Sequence, residues 1–235
     1  MRIPQEEIPL ENTLEDWRKL KFKFPKREIQ LATLFSGIGA VEQALKRLKL
    51  KHKIIFAGDI DKAVKESYLA NHNLDLKDWH DDITKFSAKK YQYKVDLLVG
   101  GSPCQSFSMV GHRGGLEDAR GTLFYDFARV VNESKPKVFI FENVKGLLSH
   151  DKGQTWNIIQ KIFDGLGYSI FHKVLNSKDY GVPQNRSRVF VIGFRKKIKK
   201  FNFPDPIPLE SSMQDYLEDY AESQFFLKEK GVKFV

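Results

Sequence analysis

Cysteine is almost missing from this chain: among 235 residues there is one, Cys104. A single thiol excludes an intramolecular disulfide, and with it the disulfide-stapled scaffolds, and it suits a reducing compartment. Long apolar runs are missing too. No stretch approaches membrane-spanning length, and the N-terminal "MRIPQEEIPLENTLEDW" has no apolar segment of the kind that marks a secretory signal. Histidine is sparse, with six residues scattered along the chain. His80, Asp81 and Asp82 are consecutive, and consecutive residues rarely converge on one ion, so no metal is expected. There is no internal repeat and no low-complexity tract. These absences leave a soluble intracellular protein as the expectation.

What is present is enough for a packed core. Hydrophobic residues make up 41% of the chain and aromatics 13%, which argues against a disordered polypeptide. Lys plus Arg exceeds Asp plus Glu by 39 − 30 = 9. That excess favours a polyanionic partner through phosphate contacts and long-range steering. Part of it sits in the short run "RKKIKK" (195–200), which would serve equally well as a solvated surface.

Short β-rich runs alternate with helical patterns. The runs are "LATLF" (31–35), "KIIFA" (53–57), "VDLLVG" (95–100), "KVFIFE" (137–142), "YSIFHKVL" (168–175) and "SRVFVIGF" (187–194). Several are unbroken Val, Ile, Leu and Phe stretches, as strands buried on both faces require. Between them, Val41, Ala44, Leu45 and Leu48 recur at helical spacing. Val64, Tyr68 and Leu69 do the same, as do Phe124, Phe127, Ala128 and Val131, and then Ile158, Ile159, Ile162, Phe163 and Leu166. This alternation predicts βαβ units and an open, mostly parallel α/β sheet covered by helices. The last two strands follow one another without a helix, which predicts an antiparallel hairpin at the sheet's end. In such a sheet ligands bind beyond the carboxyl ends of the strands, where the strand order reverses.

Each loop after a strand is therefore a candidate for chemistry. "FSGIGA" (35–40) places Gly37 and Gly39 at the start of a helix, where backbone can approach a ligand closely. The third glycine of the dinucleotide fingerprint is missing. "GDIDKA" carries Asp59 about where a ribose-binding carboxylate belongs, while Asp61 is placed to cap the following helix. Ile60 is placed against a purine face, and Asp82 and Ile83 at the purine's edge. "GGSPCQSFS" puts Cys104 beyond the third strand, in a turn rich in glycine and serine rather than inside an apolar run. "KVFIFENVKG" puts Glu142 at the end of the fourth. In "QNRSR", Arg186 and Arg188 alternate, so only one of them can face a pocket at the sheet's edge.

Taken in order, "FSGIGA", "GDID", "GGSPCQSFS", "EDARGTLF" (117–124), "FENV" (141–144) and "QNRSR" (184–188) resemble the motifs of the DNA cytosine-5 methyltransferases. The resemblance runs from about residue 31 to 194. It implies a Rossmann-like methyltransferase fold and S-adenosylmethionine as cofactor, with S-adenosylhomocysteine as product. It implies that Phe35, Gly37, Ile38, Gly39, Asp59, Ile60, Asp82, Ile83 and Leu123 hold that cofactor. Cys104 is then the nucleophile that adds to C6 of cytosine, and Glu142 meets the ring at N3 and the exocyclic amine. Arg188 is placed at O2 with Arg186 in support. Gln105, Ser106 and Ser108 face double-stranded DNA, and the loop 109–121, with four glycines, has the composition of a lid. A cytoplasmic protein of prokaryotic or phage type follows from the same resemblance.

In this family a target-recognition domain and two further motifs follow the "QNRSR" strand. The sequence given ends at Val235. The expectation is therefore residues 1–30 as an extension, 31–200 as the catalytic domain and 201–235 as a linker. A second polypeptide would supply the recognition domain and the last cofactor helix of a split restriction-modification type enzyme, unless the sequence is a truncated one. Three alternatives differ in class. A tRNA cytosine-5 methyltransferase would often carry a second proline where Ser102 stands. An inactive nucleic-acid-binding scaffold would not need Cys104, Glu142 and both arginines together. A small-molecule methyltransferase would explain the glycine turn but not that set.

Overall fold

The structure, a computed structural model, describes residues 26–103 and 123–220 together with Phe22, Glu222 and Phe226. Cys104, Gln105, Ser106, Ser108 and the 109–121 loop lie outside the described residues.

The elements follow the alternation of the sequence. They are β1 (Ile29–Leu34), α1 (Ala40–Arg47), β2 (His52–Phe56), α2 (Lys62–Asn71), β3 (Leu97–Gly100), α3 (Leu123–Ser134), β4 (Val138–Val144), α4 (Gln154–Gly165), β5 (Ser169–Asn176) and β6 (Ser187–Phe194). The six strands form one sheet in the order β2-β1-β3-β4-β6-β5. β2, β1, β3 and β4 are parallel neighbours, and β6 runs antiparallel to β4, with β5 beside β6 at the edge. The chain leaves β1 towards one side to make β2 and returns to the other side to make β3. The order therefore reverses between β1 and β3, where a ligand site is expected.

Register explains the layers. Ala32, Leu98 and Phe139 are direct neighbours across three strands and share one face. On that face α3 and α4 supply Phe127 and Phe163. The Phe139 and Phe163 rings lie 4.6 Å apart, and Phe127 stands 5.1 Å from Phe141. Burying these rings contributes on the order of 2–3 kcal/mol each. Thr33, one residue along from Ala32, points to the opposite face, where it meets α1 and α2 through Glu42 and Tyr68.

Three local expectations are corrected. Of the predicted α1 stripe Leu45 is buried, but Leu48 and Ala44 are exposed. The buried residues of α1 are Glu42 and Leu45. Phe35 is not the last residue of a strand: its φ of 53° already belongs to the turn. β4 continues past Glu142 to Val144, because Val144 still pairs with Arg188. Among the described residues no helix is long and apolar enough to cross a membrane.

The chain divides into two compact units, Met1–Leu175 with Ser187–Asp205, and Asn176–Arg186 with Pro206–Val235. In the second unit Asn176 ties its segment together. Its carboxamide oxygen accepts from the Lys178 and Arg186 amides, and its nitrogen donates to Asn185. Further on, Ser212 and Asp215 form a reciprocal capping box over a single 3-10 turn.

Candidate active site

The site begins with the turn after β1. Gly37 and Gly39 take positive φ values of 55° and 90°. At Gly39 a side chain is excluded twice, because a Cβ would also fall 2.1 Å from Nε2 of His72. The loop after β2 is stitched to this turn. The Ser36 amide donates to the Gly58 carbonyl at 3.1 Å, and the Gly58 amide donates to Ser36 Oγ at 3.0 Å. Asp59 completes the seam. Its Oδ2 accepts from the Gly37 amide at 3.0 Å and its Oδ1 from the Asp61 amide at 3.2 Å. Asp61 itself caps α2, accepting from the Ala63 and Val64 amides.

Beyond the carboxyl ends of β1 and β2 lies a mostly apolar cavity of about 170 Å³. Leu34, Phe35, Ile60, Ile83, Pro103 and Leu123 give it apolar walls, and Gly58, Asp59, His80, Asp81 and Asp82 complete it. Among the described residues no Lys or Arg is part of this lining. Asp81 and Asp82 have cationic partners further out, Lys65 at 2.9 Å and Lys85 at 3.3 Å. The Lys65 hydrogen bond, then that of Trp79, holds the Asp81 carboxyl below its usual range, and Thr84 does the same for Asp82. Asp59 has only backbone amides as partners among the described residues. Burial, and then the charge of Lys90, pushes His80 down to about 4, so it is neutral at neutral pH. The His80 ring stacks on Phe86 at 3.8 Å.

Of the residues expected at the cofactor, Phe35, Asp59, Ile60, Asp82, Ile83 and Leu123 line this cavity. Gly37, Ile38 and Gly39 form the turn beside it. The Ile38 side chain is exposed, and its carbonyl is 3.2 Å from Nε2 of His72.

The second part of the site is built on β3, β4 and β6. Gly100 pairs with Phe141, which brings Gly101 beside Glu142. A Cβ at Gly101 would stand 2.7 Å from the Glu142 carbonyl oxygen and 2.9 Å from Oε2, so only glycine permits this approach. Glu142 Oε1 is 3.1 Å from Arg188 Nε, and both side chains remain partly exposed, at 33% and 20%. Of the two arginines of "QNRSR", Arg188 is the one brought to the carboxylate. Arg186 is exposed and belongs to the second compact unit.

Asn143 was not anticipated from the sequence. It is buried, and its Nδ2 donates to the Ser102 carbonyl at 2.9 Å while its Oδ1 accepts from the Val144 amide. Its place in the quoted "FENV" stretch, beside Glu142, was the one signal the sequence held for it. Asn143 fixes the backbone two residues before Cys104, and Pro103 lines the cavity. The chain leading to the thiol thus runs from the carboxylate to the cavity. Cys104, Gln105, Ser106 and Ser108 themselves lie outside the described residues. Among the described residues no group of three or more His, Cys, Asp and Glu is placed to hold a metal ion.

Known proteins place this arrangement. Residues 29–234 match the family model described as C-5 cytosine-specific DNA methylase. The orphan methyltransferase M.SPRI of Bacillus phage SPR is 39% identical over 232 residues, which cover 86% of this chain and 53% of that protein. The type II methyltransferase M.SsoII of Shigella sonnei is 38% identical over 204 residues, covering 85% of this chain and 52% of its own. The chain thus spans about half the length of these curated relatives. Among solved structures, the Dnmt2 methyltransferase of S. pombe superposes with a TM-score of 0.67 at 21% identity, over 88% of this chain and 65% of that one. That likeness is one of fold. With the match to the family model over most of its length, the chain belongs to the C-5 cytosine-specific DNA methylase family.

Proposed function

We propose that this chain transfers a methyl group from S-adenosylmethionine to C5 of cytosine in DNA, through a transient bond between Cys104 and C6 of a flipped-out base. The observation that carries the cofactor reading is the charge of the cavity. Asp59, Asp81 and Asp82 line it and, among the described residues, no Lys or Arg does. A dinucleotide would bring a diphosphate into that field, whereas a nucleoside bearing a sulfonium brings a positive charge. Phe35 and Ile60 suit the faces of a purine, and Asp59 is free to accept from ribose hydroxyls. When bound, this cofactor supplies an electrophilic methyl group on a positively charged sulfur.

The remaining work falls to the chain's own side chains. C5 of cytosine is too weak a nucleophile to attack unaided. Addition of the Cys104 thiolate to C6 breaks the C5–C6 double bond and leaves its electron pair at C5, which takes the methyl group. Loss of the C5 proton then re-forms the double bond and expels the thiolate. Negative charge that gathers at O2 of the ring is met by Arg188, and that at N3 by a proton shared with the Glu142 carboxyl group; the two side chains are in contact at 3.1 Å. Asn143, through the Ser102 carbonyl, holds the start of the thiol loop at the right depth. A stacked base offers C6 to no side chain, so the base must leave the helix. Gln105, Ser106 and Ser108 face the DNA, and the +9 net charge favours a polyanion.

The test uses calorimetry with S-adenosylhomocysteine and duplex DNA carrying 5-fluorocytosine, whose fluorine cannot leave as a proton does. With cofactor present the wild-type chain should become irreversibly attached to that DNA. Cys104→Ala should show neither attachment nor methyl transfer, yet bind S-adenosylhomocysteine within about threefold of wild type. Methyl transfer by Cys104→Ala rules out the thiol route, and failure to bind S-adenosylhomocysteine even when a polypeptide carrying the last cofactor helix is supplied rules out the cofactor.

A further inference from the structure

We infer that Glu42, Thr33 and Ser36 are positioning residues that fix the turn after β1 to the loop after β2, and thereby set the affinity for the cofactor. The inference rests on the cofactor reading above. Its starting point is a carboxylate in an unusual place. Glu42 sits in the first turn of α1 and is fully buried. Its Oε1 accepts from Thr33 Oγ1 at 3.0 Å and from the Tyr68 hydroxyl at 2.6 Å. Its Oε2 has no partner among the described residues.

The directions of the neighbouring hydrogen bonds follow from proton counting. A hydroxyl has one proton to give, and a carboxylate only accepts. Tyr68 and Thr33 therefore both donate to Glu42. Thr33 Oγ1 also lies 2.9 Å from Ser36 Oγ, and Ser36 Oγ lies 3.1 Å from the Gly58 carbonyl, so the single Ser36 proton has two acceptors within reach. Ser36 in turn accepts from the Gly58 amide at 3.0 Å. The result is one connected chain, from Gly58 through Ser36 and Thr33 to Glu42. The Gly58 carbonyl is held from the same residue, by the Ser36 amide and by Ser36 Oγ.

An apolar side chain could fill the Glu42 position, but it could not terminate this chain. Without an acceptor at its end, Thr33 could turn its proton towards Ser36. His72 adds a second brace from α2. Its Nε2 is 3.2 Å from the Ile38 carbonyl, and its ring lies against Gly39 and 4.6 Å from the Tyr68 ring. Phe35 on one loop and Asp59 and Ile60 on the other line the same cavity. The spacing between these loops is the spacing the cofactor meets. Loosening it should weaken binding more than it slows chemistry at saturating cofactor.

The full chain is compared with Thr33→Val, Thr33→Ser and Tyr68→Phe. Thr33→Val keeps the shape but removes the link. It should raise the dissociation constant for S-adenosylhomocysteine about five- to tenfold, with the loss in KM for S-adenosylmethionine rather than in kcat. Thr33→Ser should restore the affinity. Tyr68→Phe removes the other donor to the same oxygen and leaves the link from Glu42 through Thr33 to Ser36 in place. It should lower the thermal midpoint while the affinity stays within about twofold of wild type. Hydrogen exchange of the ligand-free protein supplies the independent arm. Thr33→Val should speed exchange at 36–39 and at 57–59 together. Ser36→Ala breaks the same chain in the half-buried turn and stands in if Thr33→Val does not fold. Unchanged affinity in Thr33→Val, or equal losses in Thr33→Val and Tyr68→Phe, overturns the inference. A wild-type chain that binds no S-adenosylhomocysteine, even when a polypeptide carrying the last cofactor helix is supplied, overturns the cofactor reading, and the exchange arm still decides whether the two loops are coupled.

Discussion

The two halves of the sheet's carboxyl edge are built differently, and the two buried-to-exposed glutamates show how. On the β1–β2 side, loops are closed by side chains bonded to backbone: Ser36 to Gly58, Asp59 to Gly37 and Asp61 to the first turn of α2. Glu42, on this side, is wholly buried and held by hydroxyls. On the β3–β4 side, Glu142 keeps a third of its side chain exposed and is paired with Arg188. One half is preorganised and has little left to rearrange. The other keeps charged groups partly exposed, where the proposed function places an incoming base. A site that must bind one partner tightly and act on another needs both kinds of construction.

Glu142→Gln puts the largest strain on this comparison. Removing the carboxylate from the reactive half should lower methyl transfer by about 10²–10⁴-fold, the range for a group that exchanges hydrogen bonds or protons with the reacting ring. The affinity for S-adenosylhomocysteine, measured by calorimetry, should stay within about twofold. If affinity falls as steeply as rate, the two halves are not separable.

Asp59→Asn is the converse change. Its carboxylate accepts from two amides and has no cationic partner among the described residues. Loss of charge-assisted hydrogen bonding should weaken S-adenosylhomocysteine about tenfold or more, with a smaller effect on turnover at saturating cofactor. A rate loss at saturating cofactor that matches the loss in affinity would sink the division of labour.

Much of the binding half was legible in the sequence, because glycines, a helix cap and apolar side chains announce themselves by position. The strand runs located the sheet to within a few residues, and the reading of Asp61 as a cap and of Asp59, Ile60 and Phe35 as a cluster agrees with the cavity. What escaped was the buried polar chain. Helical periodicity assigns Glu42 to the surface by its charge, and only the fold reveals that Thr33 and Tyr68, 9 and 26 residues away, supply its partners. Asn143 escaped for the same reason: its partner, Ser102, is 41 residues away. Periodicity reports apolar faces and is blind to polar groups satisfied at long range.

The smallest expected effect concerns His80, which lines the cavity in the binding half and has no counterpart beside Glu142. Burial, then Lys90, lowers it to about 4 from an ordinary value near 6.5. The folded chain therefore disfavours its protonation more than the unfolded chain does. The stability this represents is intact above about pH 6.5 and is lost as pH falls from there to about 4. His80 is only partly buried, so screening leaves on the order of 1–2 kcal/mol of the full linkage value. Carboxylates held low in the fold, such as Asp81 and Asp82, titrate with the same sign, so the informative quantity is a difference. Urea unfolding at pH 7.0, 5.5 and 4.5 should show a shallower decline for His80→Phe than for wild type, with the gap opening below about pH 6.5. Parallel declines in the two proteins would mean that His80 titrates normally, and that the neutral character of this cavity wall is set by other residues.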